Sequence, residues 1–381
     1  MHLAVEIIGW TATVLALAGA AYQVLAGFRV RTFRARPASD VPAALPAVTI
    51  LKPLYGAEPG LEAALGSFLD QDYPGKVQVV FGVQDAGDAA LPVVEALRRA
   101  NPDRDIALVV DAILHGSNRK ISNLINMTTH AEHDVILLAD SDIVVHRDYL
   151  QRVLAELGVP GVGVATCPYY GEARGGLWAR LAAMGLTYQF LPSVAVGATL
   201  GLASPCMGST IALRRDVLNR IGGFAAFADL LADDYAIGAA VRALGLRSVV
   251  APVVVGHICA EHSLGELMRH ELRWAVTVRG ADPAGFAGSG VTHAVPLAIL
   301  GALFTFAAPA SLAVLAIALI CRLWMLRQVE KLVPFERGAW RLVLVRDILS
   351  FAVFAGSFFV RAVEWRGARF RVDAQGALER L

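Results

Sequence analysis

Residues 135–142, VILLADSD, decide the fold because they join a wholly apolar run directly to two carboxylates. A strand of apolar residues without polar alternation is typical of a sheet that is covered on both faces. Ligands of such sheets bind beyond the carboxyl ends of the strands, which is where Asp140 and Asp142 fall. The stretch therefore predicts a buried strand that ends in a functional site.

Strands and helices alternate upstream of this stretch. Short β-branched or apolar runs predict strands at residues 48–51, 77–83 and 106–110. The segments between them have helical patterns at residues 59–69, 91–100 and 121–129. This alternation predicts a Rossmann-like α/β domain with a parallel sheet and crossover helices, over residues 45–287.

The composition is more apolar than that of a typical soluble protein. Of 381 residues, 56% are hydrophobic and only 18% are charged, whereas soluble domains carry about 25% charged residues. The 34 basic and 33 acidic residues give a net charge of +1, so we expect no nucleic-acid partner. Four scattered cysteines without a CxxC spacing predict neither a disulfide framework nor a zinc site.

The first apolar segment, residues 7–28, has no charge and is long enough to cross about 30 Å of hydrocarbon. A cleaved signal peptide is the alternative, but the basic n-region of such peptides is absent. Arginines 29, 31, 34 and 36 follow at once, and positive charge favours the cytoplasmic side. We therefore expect a transmembrane anchor over residues 1–30, with the N-terminus outside and the rest inside.

Further apolar segments lie near the C-terminus, in residues 288–362. Residues 295–320 contain Pro309 near the middle, which fits either one kinked helix or a hairpin of two helices. A basic loop favours the hairpin by the charge rule; its cations are Arg322, Arg327, Lys331, Arg337 and Arg341. The last segment, 348–360, is short and either crosses the bilayer or lies in the interface, before a tail at 363–381.

Asp140 and Asp142 predict a divalent-cation site. Hard cations prefer oxygen ligands, and Mg²⁺ or Mn²⁺ is typically held by one or two carboxylates together with substrate phosphates. Such a cation neutralises the charge that develops on a diphosphate leaving group. Asp85 follows the strand at 77–83 and is placed to hold a nucleotide base or ribose. Turn or cap residues are the structural alternative for all three aspartates.

Asp233 and Asp234 precede a helical segment. Acidic residues there often only balance the helix dipole, but a carboxylate also suits the removal of a proton from an acceptor hydroxyl. In a cleft, desolvation would raise the pKa of that carboxylate towards neutrality.

Basic and aromatic residues elsewhere are candidates for substrate binding. Lys120 lies at a helix start that can approach a phosphate, or it is part of a solvated cap. On the predicted helix 264–278, His270 comes before Arg273 and Trp274. Arg273 can clamp a diphosphate and Trp274 can supply an apolar wall, although such a pair also occurs as a snorkelling surface pair.

These residues occur together in an ordered set of motifs. The set comprises LKPL at 51–54, VQD at 83–85, KISNL at 120–124, DSD at 140–142, DDY at 233–235 and RW at 273–274. It resembles the ceramide glucosyltransferase-like enzymes of glycosyltransferase families 2 and 21, and more closely the bacterial hopanoid-biosynthesis-associated glycosyltransferases. The resemblance covers about residues 48–300 and the flanking membrane segments.

The resemblance implies a GT-A fold and an inverting transfer from a UDP-sugar. It implies that Asp85 binds the nucleotide, that Asp140 binds the nucleotide or metal, and that Asp234 is the catalytic base. The family's closing motif begins with Gln or Arg, whereas this chain has His270 there; a shift in register would substitute Arg269.

The same resemblance implies UDP-N-acetylglucosamine as the donor, a bacteriohopanepolyol as the lipid acceptor, and a multi-pass protein of the bacterial inner membrane with its catalytic domain in the cytoplasm. A UDP-glucose:ceramide-type enzyme and a processive polysaccharide synthase are the enzymatic alternatives. A membrane scaffold or transporter is the non-enzymatic one, but it predicts intramembrane charges facing a pathway, whereas the acids here lie in the soluble middle.

Overall fold

The computed structural model describes residues 2–37, 39, 45–201, 204–333, 339–360, 362–365, 368–372 and 378–380. The strands are β1 Val48–Pro53, β2 Val77–Val83, β3 Asp105–Val110, β4 Val135–Leu138, β5 Ile143–Val144, β6 Val162–Thr166, β7 Tyr169–Ala173, β8 Ile211–Arg214, β9 Arg247–Val250, β10 Val255–Cys259, β11 Ala362–Trp365, β12 Ala368–Val372 and β13 Leu378–Arg380.

The helices are α1 His2–Ala35, α2 Leu61–Leu69, α3 Leu91–Ala100, α4 Arg119–Thr128, α5 Tyr149–Gly158, α6 Leu177–Gly185, α7 Leu191–Leu200, α8 Arg215–Arg220, α9 Asp233–Ala243, α10 Leu264–Ala281, α11 Pro283–Gly288, α12 Ala294–Phe304, α13 Pro309–Val329 and α14 Val343–Ser357. A single turn of π-helix, Leu186–Phe190, joins α6 to α7.

A seven-stranded mixed sheet forms the centre of the protein, in the order β3-β2-β1-β4-β8-β6-β9. Strand β1 is parallel to β2 and to β4, so the carboxyl ends of these strands meet at one edge. This parallel part confirms the α/β alternation that the sequence predicts. Beyond β4 the sheet changes direction, because β8 is antiparallel to both β4 and β6.

Strand β4 is covered on both faces, as its apolar sequence indicates. Leu137 packs in the core on one face of the sheet together with Leu65 of α2. Ile136 and Leu138 pack in the core on the other face with Leu124 of α4. Full burial of each such side chain stabilises the fold by about 1.5–3 kcal/mol, which fixes the position of the residues that follow the strand.

A smaller sheet, in the order β5-β10-β7, continues beyond this edge. β10 pairs antiparallel with β5, and His257 lies opposite Ile143. The backbone N–H of Ile258 donates to the carbonyl oxygen of Asp142 at 2.9 Å. The smaller sheet therefore fixes the backbone of Asp142 from the side opposite to the large sheet.

Among the described residues, three helices are long and apolar enough to cross a membrane: α1, the continuous segment Leu177–Leu200, and α13. Helices α11 and α12, with a bend of 66° between them, pass the same test together. Of the apolar 18-residue stretch within Leu177–Leu200, 72% is buried inside the protein, whereas 28% of the corresponding stretch of α13 is buried. Helix Leu177–Leu200 therefore has the environment of a core helix.

The C-terminal apolar segment consists of two helices, so the alternative of one long kinked helix is wrong. Phe306 and Ala307 have φ values of 51° and 58° in the connection between α12 and α13, and Pro309 begins α13, where its missing N–H costs no hydrogen bond. Arg322 and Arg327 belong to α13 and not to a loop. Helix α14 has 15 residues, fewer than a straight span needs.

A polar contact ties the end of α1 to the α/β domain. Arg36 donates to Glu156 of α5 at 2.6 Å and to the carbonyl oxygen of Val250 at 2.8 Å. The same carboxylate accepts a hydrogen bond from the hydroxyl of Ser39 at 2.9 Å. Helix α1 is longer than the predicted anchor, because it continues through the arginines to Ala35. Tail residues 361, 366–367, 373–377 and 381 lie outside the described part.

Helix α1 packs closely on the C-terminal helices through glycines. A Cβ atom on Gly19 would lie 2.3 Å from the carbonyl oxygen of Val291 and 2.8 Å from Cβ of Ala294. One on Gly27 would lie 2.1 Å from the ring of Trp324 in α13. Small residues allow this kind of close approach between membrane helices.

We predict that Gly19→Leu destabilises the protein by about 1–3 kcal/mol, because the larger side chain forces α1 away from Ala294. Thermal unfolding of the detergent-solubilised protein measures this effect. Ala18→Leu is the matched control, since Ala18 is exposed on the same helix. Equal melting temperatures for the two variants would contradict the close packing described here.

Candidate active site

Four carboxylates and one lysine meet at the carboxyl edge of the large sheet. Lys120, in the first turn of α4, lies 2.7 Å from Oδ1 of Asp140 and 3.2 Å from Oδ2 of Asp233. The first contact has the geometry of a hydrogen bond and the second that of an ion pair only. Burial opposes the charge of Lys120, but Asp140 and Asp233 outweigh it and raise the pKa of the lysine. Lys120 therefore bridges the two aspartate motifs as a cation.

Gly208 makes a second bridge between the same motifs. Its N–H donates to Oδ2 of Asp234 at 3.0 Å, and its carbonyl oxygen accepts from the N–H of Asp140 at 3.3 Å. A Cβ atom at this position would lie 2.7 Å from Oδ2 of Asp140 and 3.3 Å from Nζ of Lys120. The absence of a side chain lets the backbone approach both carboxylates.

Asp234 is the second residue of α9 and has the properties of a tuned base. Burial and the neighbouring Asp233 raise its pKa to about 6, against the opposing effects of Lys120 and of backbone N–H donors at Tyr235 and Gly208. Its two oxygens each accept one of these backbone hydrogen bonds, at 2.7 and 3.0 Å. The carboxylate is therefore held in one orientation and is largely ionised at neutral pH.

Lys52 lies beneath the carboxylates and is fully buried. Its ammonium donates to the carbonyl oxygen of Asp140 and lies 3.9 Å from the centre of the Phe68 ring. Burial lowers its pKa to about 7, although Asp142 and Asp140 oppose that shift. The lysine lies next to the last residue of β1, and its hydrogen bond fixes the backbone from which Asp140 projects.

The donor set at Asp140 and Asp142 fits a divalent cation that also binds a diphosphate. Oδ1 of Asp142 is buried and has no hydrogen-bond partner, while the side chain of Asp140 is 37% exposed. The described part of the chain holds no group of three or more His, Cys, Asp or Glu side chains arranged for a metal. Two protein carboxylates would therefore leave the remaining positions to substrate oxygens and water.

Asp85 lies at the same edge as Asp140, beyond β2. One strand, β1, separates β2 from β4, so two strand spacings put the two aspartates about 10 Å apart across the edge. Asp85 is exposed, and its Oδ1 accepts the N–H of Gly87 at 2.8 Å. The structure thus brings Asp85 to the predicted edge but not into the carboxylate cluster.

A row of five rings borders Asp142, and we call Phe190, Tyr169, His257, Trp274 and His270 the aromatic row. The ring centres of neighbouring members lie 4.4, 5.4, 5.8 and 4.2 Å apart, in that order. Nε2 of His257 lies 3.2 Å from Oδ2 of Asp142. The row therefore connects the aspartates at the sheet edge to the π-helical turn on one side and to α10 on the other.

His270, which stands where the resembling family has Gln or Arg, is a member of this aromatic row. Nδ1 of His270 lies 2.8 Å from Oε1 of Glu261, and its ring packs on Trp274 one turn along α10. Arg269 is exposed, so the structure gives no support to the register shift that would substitute it. Arg273 lies half-buried on the same helix.

Tyr169 and Gly208 shape this site and were not predicted from the sequence, while Lys52 entered only as part of the LKPL motif at 51–54. The sequence also offered His257 and His262, with Glu261 between them, as a ligand set, but the described residues form no such metal group. Burial and the charges of Asp234, Asp140 and Asp142 raise the pKa of Tyr169, which keeps its phenol protonated. A lysine at the end of an apolar strand was the available signal at Lys52. Tyr169, Gly208 and His257 become site residues through contacts between different elements, and Glu261 through His270, nine residues along the chain.

Comparison with known proteins identifies related chains. The family described as "Glycosyl transferase family 21" matches residues 11–378. A ceramide glucosyltransferase of Komagataella phaffii is 33% identical over 128 residues, covering 32% of this chain and 25% of its own. Ceramide glucosyltransferase 3 of Caenorhabditis elegans is 25% identical, covering 60% and 50%. An N-acetylglucosaminyltransferase of Bradyrhizobium diazoefficiens is 26% identical, covering 61% and 48%. The chain thus spans half or less of these relatives' lengths.

A solved structure has a similar fold. A mannosyltransferase from Pyrobaculum calidifontis, determined with GDP-Man and Mn²⁺, aligns with a TM-score of 0.52 and 22% identity. The alignment covers 93% of this chain and 99% of that one. This likeness shows the fold and confirms the GT-A type with apolar helices at both ends of the chain.

We predict that the stability of the wild type, relative to an Asp234→Asn variant, falls as the pH rises from about 5 to about 8. The raised pKa means that the folded state binds the proton of Asp234 more tightly than the unfolded state, so ionisation between about pH 4 and 6 costs stability. We expect a relative loss of about 1–2 kcal/mol after solvent screening. Melting temperatures at the two pH values measure it.

Asp103→Asn, at an exposed carboxylate on the far side of β3, is the control. A stability difference between wild type and Asp234→Asn that is independent of pH would show that the environment of Asp234 is not the one described.

Proposed function

Because the chain belongs to glycosyl transferase family 21, we propose that it transfers a sugar from a UDP-sugar to the hydroxyl group of a membrane lipid. The observation that carries the proposal is the pairing of two aspartate motifs by Lys120 and Gly208 at the edge of a GT-A sheet. One motif suits the departing diphosphate and the other suits the removal of a proton. In the sequence, apolar helices precede and follow the segments that form this edge.

On the donor side, Asp85 binds the uridine and Asp140 lies at the diphosphate. Lys120 and Arg273 supply positive charge for the phosphates, and Arg273 can do so with two parallel hydrogen bonds. Asp233 holds Lys120 in place. A divalent cation, Mg²⁺ or Mn²⁺, would be held by Asp140 and Asp142 and would neutralise the charge of the leaving group.

On the acceptor side, Asp234 takes the hydroxyl proton as the acceptor oxygen attacks the anomeric carbon. The new carbon–oxygen bond forms opposite the bond to the diphosphate, which breaks as UDP leaves, so the configuration inverts. Trp274 and His270 form the apolar wall of the sugar and acceptor site. The fixed orientation of the carboxylate reduces the entropy that must be lost on reaching the transition state.

We further propose UDP-N-acetylglucosamine as the donor and a bacteriohopanepolyol as the acceptor, in a bacterial inner membrane with the α/β domain on the cytoplasmic side. The donor is supported by the Bradyrhizobium relative, which is named an N-acetylglucosaminyltransferase. The ceramide glucosyltransferase relatives support a lipid acceptor and keep UDP-glucose with ceramide as the alternative.

Other functions fit the observations less well. A processive polysaccharide synthase needs enough membrane helices to form a channel, and the described residues offer three spans, or four with the bent pair. A scaffold or transporter leaves the bridged carboxylates at the sheet edge without a purpose.

We predict that Asp234→Asn abolishes sugar transfer, since the amide cannot take the proton, while UDP binding is nearly unchanged. Purified protein in membranes is incubated with UDP-sugars and with a polyol hopanoid or ceramide, and glycolipid is measured by mass spectrometry. Because the pKa of Asp234 is about 6, kcat/KM of the wild type should decline below about pH 6. Transfer by the variant would disprove the base assignment, and release of long polymer would favour the synthase.

We predict that Asp140→Ala weakens UDP binding in the presence of Mn²⁺ and removes its dependence on the cation. Isothermal titration with UDP, with and without Mn²⁺, measures both effects. Asp148→Ala is the control, because Asp148 is a half-exposed carboxylate that pairs with Arg152 one turn along α5. A cation titration that is unchanged in Asp140→Ala would exclude Asp140 as a ligand.

A further inference from the structure

Four buried charges lie between the C-terminal helices and the elements that carry the aromatic row. Arg322 of α13 binds Asp347 of α14 with two hydrogen bonds, of 2.9 and 2.5 Å. The preceding residue, Arg346, binds Glu271 of α10 with two hydrogen bonds, of 2.6 and 2.8 Å. We call Glu271, Arg346, Asp347 and Arg322 the charge cluster. Their side chains are 5–11% exposed.

One end of the charge cluster holds α10. Glu271 lies between His270 and Arg273 in the chain, so its two bonds to Arg346 fix the helix from which the last rings of the aromatic row project. The far end of α10 is also attached, because Arg279 donates to the carbonyl oxygens of Ser357, the last residue of α14, and of Val360 just beyond it. Helix α14 therefore determines the position of α10 along much of its length.

The other end of the charge cluster holds the π-helical turn. Nη1 of Arg322 donates to the carbonyl oxygen of Tyr188 at 2.8 Å. In an α-helix that carbonyl would accept the N–H of residue 192, but Pro192 has none. Arg322 satisfies this carbonyl in its place. Phe190, the first ring of the aromatic row, is two residues further along.

We propose that the charge cluster is a positioning device for the acceptor side of the site, because it fixes both ends of the aromatic row. This inference rests on the proposed function. The adjacent residues Arg346 and Asp347 of α14 hold both elements. Arg346 binds Glu271 of α10, and Asp347 binds Arg322, which in turn binds the carbonyl oxygen of Tyr188. The separation of these two walls is therefore set partly by helices of the membrane region, together with the small sheet, whose Gly171 donates to Thr187 of the π-helical turn.

The four side chains of the charge cluster can be buried together because positive and negative charges alternate among them. Two negative and two positive side chains alternate along the chain of contacts, so each charge has an opposite neighbour. A buried pair of this kind adds little net stability relative to apolar residues of similar size, but breaking one partner leaves an uncompensated charge. Stability and positioning can therefore be separated by replacing one whole pair.

The test compares Arg346→Met with the double variant Glu271→Met/Arg346→Met. The single variant leaves Glu271 unpaired and should melt at a lower temperature. The double variant removes both charges, so its melting temperature and its affinity for UDP should be close to those of the wild type. Its kcat/KM for the lipid acceptor should fall about 10- to 100-fold, because a displacement of about 1 Å at the site has an effect of that size.

Two further measurements make the outcome decisive. UDP release without acceptor should be nearly unchanged in the double variant, and amide hydrogen exchange should be faster in residues 186–190 and 264–281. Glu95→Met/Arg98→Met, at an exposed ion pair of 3.0 Å in α3, is the matched control. A double variant with wild-type transfer, or one that fails to fold, contradicts the positioning role.

The failure of the proposed function would have a different signature. If the wild type transferred sugar to none of the lipids, the proposed function would be wrong. Faster exchange in the two segments of the double variant would then still support the mechanical role of the charge cluster, and unchanged exchange would contradict it.

Discussion

The site depends on the antiparallel pairing of β4 with β8 at the centre of the sheet. Leu138 lies opposite Ile211 in this register, and the bridge between Met207 and Thr210 turns the chain just before β8. The turn places Gly208 against the N–H of Asp140. A slip of one residue would turn every side chain of β4 to the other face, so the buried apolar residues also fix the carboxylates.

Burial of charge and repulsion between the carboxylates are the two costs of this arrangement. Asp140, Asp142, Asp233 and Asp234 face the ammonium groups of Lys120 and Lys52, so the acids outnumber the nearby lysines by two. The raised pKa of Asp234 is one result of this imbalance, together with its burial. An excess of negative charge at a partly open edge also attracts cations, so the same imbalance that reduces stability favours a metal with its diphosphate.

Much of the parallel half of the fold could be predicted from the sequence, because its strands are short apolar runs separated by helical patterns. The bounds of β2 and of α3 agree with the sequence-based ranges, 77–83 and 91–100. The antiparallel strands after β4 follow no such alternation, and the sequence did not predict them. The strand ends predict nucleotide and metal binding at Asp85, Asp140 and Asp142, whereas the role of Asp234 as the base comes mainly from the family resemblance.

The unpredicted parts of the site share one physical cause. Gly208 carries no local pattern, and the local spacing of His257 and Glu261 suggested a ligand set rather than the roles observed. Gly208 contacts Asp234, His257 contacts Asp142, and Glu261 contacts His270 at shorter range along the chain. The charge cluster is similar, since Arg322 was expected in a basic loop and lies buried in α13 beside Asp347. Pairing across elements is not visible in the periodicity of a single segment.

The contact between Arg36 and Glu156 fixes the distance between the membrane helix α1 and the α/β domain. Helix α1 has 34 residues and is about 51 Å long, which exceeds the hydrocarbon thickness of about 30 Å. Because its inner end is fastened to α5, the sheet edge stays at a constant height above the bilayer in the proposed orientation. An acceptor would then be chosen partly by how far its hydroxyl group rises from the lipid surface, and less by the shape of the buried tail.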